Sequence, residues 1–262
     1  MNNKYIQLEQ RNRLLITYLN NPSANLITTG LVSELKEICL EIEEGNDIDV
    51  MIIGSDKVMD FSQGTSPELK EDLNNRNNKD LIEDILNRYR ISQVIGNLKI
   101  PVISAIQGKC YGQGLEIALA TDIRIGSEES VFSMDHVSLN TVPWDGGTQR
   151  LPRIIGIPRS LELILTSRQF HSREALDIGM LHHVVPQKEV LEKANEIAEM
   201  ILTSGSIASK YAKEVINTGS DMTLDQGILL ETDLTMILQT TKDRKEGIDS
   251  FIERRPPNYT GE

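Results

Sequence analysis

Short runs of apolar residues alternate with amphipathic segments along the first half of the chain. Four runs rich in branched apolar residues are predicted strands: 13–20, 50–54, 101–106 and 122–125. Apolar residues recur at helical spacing over 31–44 and 81–97, which predicts helices there. The run at 50–54, VMIIG, is apolar throughout, as is typical of a strand in a sheet buried on both faces. Because strands and helices alternate, the sequence predicts an α/β fold with crossover helices.

The pattern becomes almost wholly helical after residue 145. Seven segments place their apolar residues at helical spacing: 147–155, 158–167, 173–178, 188–203, 206–217, 223–239 and 243–254. One further strand is predicted at 181–185. A helical extension needs an apolar surface to pack on, and another subunit could supply it. We therefore predict a core that carries the functional site at 1–200 and a helical oligomerisation region at 201–262.

Charge and cysteine content exclude several classes of protein. The 27 Lys and Arg residues against 39 Asp and Glu give a formal net charge of −12, which argues against binding to nucleic acid or to anionic lipid. Two cysteines, Cys39 and Cys110, are too few for a disulfide scaffold, so we expect two buried, reduced thiols. No apolar stretch approaches the roughly 18 residues of a membrane span. These features predict a soluble, cytoplasmic protein.

A glycine-rich segment at 108–116, GKCYGQGLE, lies between a predicted strand and a helix. Its backbone N–H groups could face an anion, either a phosphate or an acyl oxygen that gains negative charge. A tight turn that uses glycine only for packing is the alternative. The phosphate-binding patterns GxxxxGKS and GxGxxG do not fit this segment. Glu116, in the first turn of the helix, would place a base beside these amides, as proton transfer next to a carbonyl requires.

His136 and Asp145 are the other candidates for chemistry. Asp145 lies in a turn with Trp144 and two glycines, where a carboxylate often caps the helix that follows. A histidine and an aspartate can also act as a base and the group that orients it. The four histidines are not spaced as metal ligands, and no GxSxG nucleophile motif occurs. Trp144 could be a packing residue or a pocket wall.

Several separate stretches resemble the enoyl-CoA hydratase/isomerase (crotonase) superfamily, from about residue 13 to 260. They are LLITYLNNPSAN, VMIIGSDKVMDFSQGTSPELKE, IPVISAIQGKCYGQGLEIALATDIRI, GGTQRLPRIIG, EALDIGMLHHVVP and EGIDSFIERRPPNY. The resemblance implies a spiral of ββα units with a helical C-terminal trimerisation region, assembled as a trimer or a dimer of trimers. It also implies an acyl-CoA thioester ligand, stabilisation of its enolate, and no cofactor apart from the CoA of the substrate.

The resemblance also implies roles for individual residues. The backbone N–H groups of Thr65 and Gln113 would form an oxyanion hole, with Gln113 standing where the family often has glycine. Glu116 matches the first of two catalytic glutamates of the hydratases, and His136, 20 residues further on, stands in place of the second. The substrate and its CoA would contact Ser62, Gln63, Gly64, Gly112, Trp144, Phe251 and Arg254. The polar stretch 62–80 would help to shape the acyl pocket.

Three functions remain open at this point. The first is an acyl-CoA hydratase or isomerase, in which Glu116 and His136 handle water or a proton and Asp145 orients His136. The second is a C–C bond hydrolase of a β-dicarbonyl compound, of the cyclic β-diketone type, that uses His136 and Asp145. The third is a non-catalytic subunit with the crotonase fold, because one family glutamate is missing. The first two functions act on a small-molecule substrate.

Overall fold

The computed structural model describes residues 4–22, 24–55, 60–69, 71 and 79–262. The strands are β1 (Ile6–Arg11), β2 (Leu14–Leu19), β3 (Val50–Ser55), β4 (Val102–Ile106), β5 (Lys109–Tyr111), β6 (Ile123–Ser127), β7 (Val131–Ser133), β8 (Phe170–His171) and β9 (His183–Val185). The helices are α1 (Thr29–Glu44), α2 (Lys79–Tyr89), α3 (Ser92–Asn97), α4 (Gln113–Leu119), α5 (Gly147–Ile155), α6 (Ile157–Thr166), α7 (Ser172–Asp177), α8 (Val190–Leu202), α9 (Ser206–Gly219), α10 (Leu224–Leu238) and α11 (Lys242–Glu253). Single 3₁₀ turns occur at Val137–Leu139 and Gln187–Glu189.

Two sheets share the strands. The larger has the order β1-β2-β3-β4-β6-β9, in which only the β1–β2 pair is antiparallel. The smaller has the order β5-β7-β8. The chain passes from β4 in the large sheet to β5 in the small sheet and then into α4, and β6 and β7 repeat the same step between sheets. This is the predicted spiral of ββα units, followed by the predicted C-terminal helices.

The large sheet is buried on both faces, as the apolar run in β3 predicts. Met51 and Ile53 belong to one core cluster, which includes the apolar face of α1. Val50 and Ile52 alternate with them and belong to the other, which includes Val190 at the start of α8. Each strand residue therefore contributes to one layer or the other. The two layers hold the parallel strands rigidly, so the loops at their ends start from fixed positions.

The C-terminal helices leave apolar side chains uncovered. Helix α10 has no buried residue, and Leu224, Leu229 and Met236 on it are 79%, 63% and 65% exposed. Apolar surface of this kind is typical of a protein interface. The proposed boundary near residue 200 and the role of these helices in oligomerisation therefore stay predictions. No helix among the described residues is long and apolar enough to cross a membrane.

Several short elements differ from the sequence prediction. Strands β5, β7 and β8 have only two or three residues, and β1 is an edge strand with four charged or amide side chains in six residues. The helix predicted over 81–97 is two helices, α2 and α3, separated at 90–91.

The two cysteines are free and buried, as predicted, and burial raises the pKa of Cys39 to about 12. Burial also raises the pKa of Cys110, so both thiols are poor nucleophiles.

Candidate active site

Two glycine-containing segments meet at the edge of the small sheet. Ser62 forms a parallel bridge with Cys110 of β5, and the Tyr111 N–H donates to the Ser62 carbonyl over 2.9 Å. The two segments continue to Gly64 and Gly112, both of which have positive φ, 96° and 48°. A Cβ on Gly64 would lie 3.9 Å from the Gly112 Cα. Glycine at these positions lets the residues that follow, 65 and 113, approach each other.

The residues after the two glycines line a cavity of about 280 Å³. Thr65 and Gln113 both line it, and neither backbone N–H donates a hydrogen bond within the described part of the chain. Gln113 is the first residue of α4, where a helix leaves its N–H groups without internal acceptors. The two residues predicted to supply the amides therefore line one cavity, and their backbone N–H groups have no acceptor among the described residues.

Glu116 and His136 form a contact beside these amides. Glu116 lies in the first turn of α4 and is fully buried, while His136 is 5% exposed and lines the cavity. Glu116 Oε2 lies 3.3 Å from His136 Nε2. Glu116 Oε2 and His136 Nδ1 have no hydrogen-bond partner in the described structure. Buried polar atoms without a partner are costly, and a catalytic role is one of the reasons that native proteins retain them.

The loop before α5 fixes the other oxygen of Glu116. The backbone N–H groups of Asp145 and Gly147 donate to Glu116 Oε1 over 2.9 and 2.7 Å. Position 147 requires glycine, since a Cβ there would lie 2.9 Å from the same oxygen. The preceding Gly146 has φ 107°, a conformation that glycine adopts readily. The Gly-Gly pair of the GGTQR motif thus serves to wrap the loop around Glu116.

Asp145 does not orient His136, contrary to the prediction. Its carboxylate accepts the Ile91 N–H at 3.2 Å and the Ser92 hydroxyl at 2.9 Å, so it caps α3 rather than the helix that follows it. It also accepts from Gln113 Nε2 at 3.1 Å. Glu116 takes the predicted place of Asp145 beside the imidazole. The His136–Asp145 pair on which the C–C hydrolase hypothesis depended is therefore not formed, and Glu116 must be grouped with His136 instead.

The side chain of Gln113 connects Asp145 to Thr65. Its Nε2 donates to the Tyr89 carbonyl over 2.6 Å as well as to Asp145, and its Oε1 accepts the Thr65 hydroxyl over 2.9 Å. Burial, the largest cause, raises the pKa of Asp145, and the charge of Glu116 raises it further, while the hydrogen bond from Gln113 lowers it. This network was not predicted, because it joins residues that are far apart in sequence.

The predicted substrate-contact residues divide into two groups. Gln63, Gly64, Gly112 and Trp144 line the cavity, so Trp144 is a pocket wall. Ser62 does not line it, contrary to prediction, because its hydroxyl is buried, donates to the Asn25 carbonyl over 2.7 Å and accepts the Gly64 N–H. The prediction mistook a residue that supports the loop for one that faces the substrate.

Phe251 and Arg254 lie away from this cavity. Phe251 is on α11 and is 84% exposed, Arg254 follows the helix and is also exposed, and neither lines the cavity of its own chain. The predicted contact with CoA therefore requires a neighbouring subunit and stays a prediction.

An apolar wall completes the site, and sequence reasoning named none of its members. It comprises Leu69, Leu86, Leu139 and Val142. Leu69 lies within the polar stretch 62–80 that was expected to shape the pocket, but residues 70 and 72–78 of that stretch lie outside the described residues. Among the residues that are described, no group of three His, Cys, Asp or Glu side chains could hold a metal ion.

Comparisons with known proteins match almost the whole chain. The sequence profile of the family described as enoyl-CoA hydratase/isomerase matches residues 9–262. Bacillus subtilis YngF is 36% identical over 248 residues, which cover 94% of each chain. The mitochondrial enoyl-CoA hydratase of Pongo abelii is 32% identical over 265 residues, which cover 98% of this chain and 88% of the relative. The crystal structure of an enoyl-CoA hydratase from Bacillus anthracis has a TM-score of 0.92 at 34% identity, and covers 99% of this chain and 100% of that one.

Proposed function

The chain belongs to the enoyl-CoA hydratase/isomerase family, and we propose that it is an enzyme that converts an acyl-CoA thioester through an enolate. The resemblance inferred from the sequence motifs is confirmed by the family match over 9–262. One observation carries the proposal. The unpaired amides of Thr65 and Gln113 and the imidazole of His136 line the same cavity. The proposed chemistry needs no cofactor other than the CoA of the substrate.

The two amides would receive the thioester carbonyl oxygen. When a proton leaves Cα, the electron pair of the C–H bond moves into the carbonyl, and the oxygen gains negative charge. Hydrogen-bond donors held in place before the reaction stabilise that charge without having to reorganise, and one such donor is worth about 10²–10³ in rate. The amides lie on two different segments that the Ser62–Cys110 bridge holds together, so both can be present at the oxygen before the reaction.

His136 would transfer the proton, with Glu116 behind it. In the proposed reaction the proton of the neutral imidazole stays on Nε2, 3.3 Å from Glu116 Oε2, and Nδ1, which is buried without a partner among the described residues, accepts a proton from the substrate or from water. In isomerisation, the proton taken from one carbon returns to another. In hydration, His136 takes a proton from water as the water oxygen bonds to Cβ of a 2-enoyl thioester, and the protonated His136 then returns that proton to Cα of the enolate. Both routes use one imidazole in place of a second glutamate.

Exchange of the Cα proton tests this proposal before the net reaction is known. The protein is incubated in D₂O with a panel of acyl-CoA and 2-enoyl-CoA esters, and deuterium uptake and water addition are followed by mass spectrometry. We expect uptake at Cα with at least one ester. His136→Ala should lower the rate by about 10²–10⁴, the value of a positioned acid or base.

A matched control for His136 is His171→Ala, since His171 is exposed on β8 and does not line the cavity. His171→Ala should exchange at the rate of the unmodified protein. Absence of exchange and of water addition with every ester would contradict an enolate-forming enzyme and would favour a non-catalytic subunit. Equal rates in the two alanine variants would contradict the role of His136.

We also propose that the chain forms a homotrimer or a dimer of trimers through its C-terminal helices. The support is the exposed apolar surface of α10 and the exposure of Phe251 on α11. In such an assembly Phe251 and Arg254 would reach the CoA bound by a neighbouring subunit. Light scattering should give three or six times the chain mass of 29.4 kDa. A monomer at micromolar concentration would contradict the proposal.

A further inference from the structure

We propose that Asp145 is a positioning residue that fixes the spacing of the two oxyanion-hole amides through the side chain of Gln113. This inference rests on the proposed function, because it concerns the residues assigned there to the thioester oxygen. It assigns a role to the side chain of Gln113, whose backbone alone would suffice for the oxyanion hole. The structure does not support the predicted role of Asp145 as the group that orients His136, and this inference gives Asp145 a different role.

The hydrogen bonds of Gln113 leave its side-chain amide only one orientation. Both acceptors near Nε2, the Tyr89 carbonyl at 2.6 Å and Asp145 Oδ2 at 3.1 Å, require N–H groups. Oε1 must then face the Thr65 hydroxyl, which donates to it over 2.9 Å. A buried amide with three of its four hydrogen-bonding positions used in this way is held firmly, since rotation of the amide leaves buried polar groups unpaired.

The Thr65–Gln113 bond continues the pairing between the two segments. The bridge between Ser62 and Cys110 holds the segments together up to the two glycines. Beyond the glycines, residues 65 and 113 are joined within the described part of the chain by a hydrogen bond between their side chains. Positive φ at both glycines gives this part of the backbone freedom. The side-chain bond therefore restricts the distance between the two amides that follow the glycines.

The position of Asp145 is itself fixed by several hydrogen bonds, so Asp145 can fix the position of Gln113. Its carboxylate accepts from Ile91 N–H, Ser92 N–H and the Ser92 hydroxyl. Its own backbone N–H is bonded to Glu116 in the neighbouring turn of α4. The loop that carries Asp145 is thus tied both to α3 and to the Glu116–His136 pair. Through Gln113, the same loop fixes the positions of the two amides relative to the base, His136.

A double-mutant cycle tests whether Asp145 acts through Gln113. Asp145→Ala removes the acceptor, and Gln113→Met removes the polar side-chain atoms but keeps the backbone amide. A misplacement of about 1 Å at a reacting centre can cost up to about 10²-fold, so each single variant should lower kcat for Cα exchange by about 10- to 100-fold, with KM within about threefold. The double variant should be no slower than the slower single variant, because both changes break the same link.

Conservative and control variants separate positioning from support of the fold. Asp145→Asn keeps an oxygen that can face Gln113, Ile91 and Ser92 together, so it should recover most of the kcat that Asp145→Ala loses. Ser92→Ala removes one donor to Asp145 and leaves Gln113 untouched, so it should lower the melting temperature without lowering kcat more than about threefold. If Ser92→Ala loses as much kcat as Asp145→Ala, Asp145 acts only as a cap of α3 and the inference is overturned.

A titration of a bound ligand measures how strongly the two amides stabilise an enolate, without any turnover of substrate. The enolate of a 3-ketoacyl-CoA absorbs in the near ultraviolet, so a pH titration of the complex gives the apparent pKa of enolisation. Weaker donors should raise that apparent pKa by about one unit per tenfold loss of stabilisation in Asp145→Ala and Gln113→Met alike. Multiplicative losses in the cycle would overturn the inference, whereas the absence of exchange in the unmodified protein would overturn the proposed function itself.

Discussion

The substitution Glu116→Gln tests the division of roles between Glu116 and His136. Glu116 Oε1 accepts two backbone N–H groups, from Asp145 and from Gly147. The oxygen of a glutamine must occupy that position to keep both bonds. Its NH₂ group is then placed where Oε2 was, 3.3 Å from His136 Nε2. An N–H donor at that point requires a lone pair on Nε2, so the proton of the neutral imidazole must move to Nδ1.

The expected loss follows from this change of tautomer. With its proton on Nδ1, His136 presents a donor where the proposed reaction needs an acceptor. A positioned general base contributes about 10²–10⁴ in rate, which corresponds to about 2.7–5.4 kcal/mol at 1.36 kcal/mol per tenfold. We expect kcat for Cα exchange to fall within that range. The two backbone bonds survive, so the melting temperature should change by only a few degrees.

The assay compares Glu116→Gln with Glu129→Gln, an exposed glutamate that does not line the cavity. Exchange rates, melting temperatures and the ¹⁵N chemical shifts of His136 are measured for both variants and the unmodified protein. We expect the shifts to report the proton on Nε2 in the unmodified protein and on Nδ1 in Glu116→Gln. A folded Glu116→Gln variant that exchanges within threefold of the control would refute the proposed pairing.

Three further predictions concern the backbone, the acid range and the acyl pocket. Gly112→Ala places a Cβ 2.8 Å from Asp135 Oδ1 at a φ of 48°, so it should lower both exchange activity and melting temperature; unchanged values would contradict the tight approach. Burial raises the pKa of Asp145, so the folded protein holds that proton more tightly than the unfolded chain, and the free energy of unfolding should fall as pH rises from the ordinary Asp value of about 3.9 through the raised one. Urea denaturation measures how steeply the free energy of unfolding falls with pH over this range. This slope should be smaller in Asp145→Asn than in the unmodified protein, and equal slopes would contradict the prediction. Leu86→Ala enlarges the cavity, so kcat/KM should shift towards longer acyl chains by about fourfold per added CH₂, the equivalent of about 0.8 kcal/mol; an unchanged chain-length profile would contradict the apolar wall.

Long, strongly patterned elements were predictable from the sequence, whereas several of the shortest strands were not. The run at 50–54 predicted β3 and its burial on both faces, because every residue in it is apolar. Strands β5 and β7 have three residues each, which is too short for an alternating pattern to be recognised. The break between α2 and α3 was also missed, since apolar residues continue across it at Ile91. Its cause is tertiary, because Asp145 caps α3 from a distant loop.

The members of the site were predictable, but their partners were not. Thr65, Gln113, Glu116 and His136 were all named from motifs, and the structure brings them together. Asp145 was named too, yet with the wrong partner, because sequence spacing gives no distance between a loop and a histidine. Only the folded chain places Asp145 against Gln113, a residue 32 positions away. Sequence patterns therefore identified the chemistry, and tertiary contacts decided which residues act together.

The central claim is that two backbone amides receive the thioester oxygen. A crystal structure of the protein with a non-reactive acyl-CoA analogue measures this directly. The account predicts the thioester oxygen about 2.7–3.1 Å from the nitrogens of both Thr65 and Gln113, with Cα next to His136. An analogue bound with its carbonyl away from these amides, or bound outside this cavity, would contradict it.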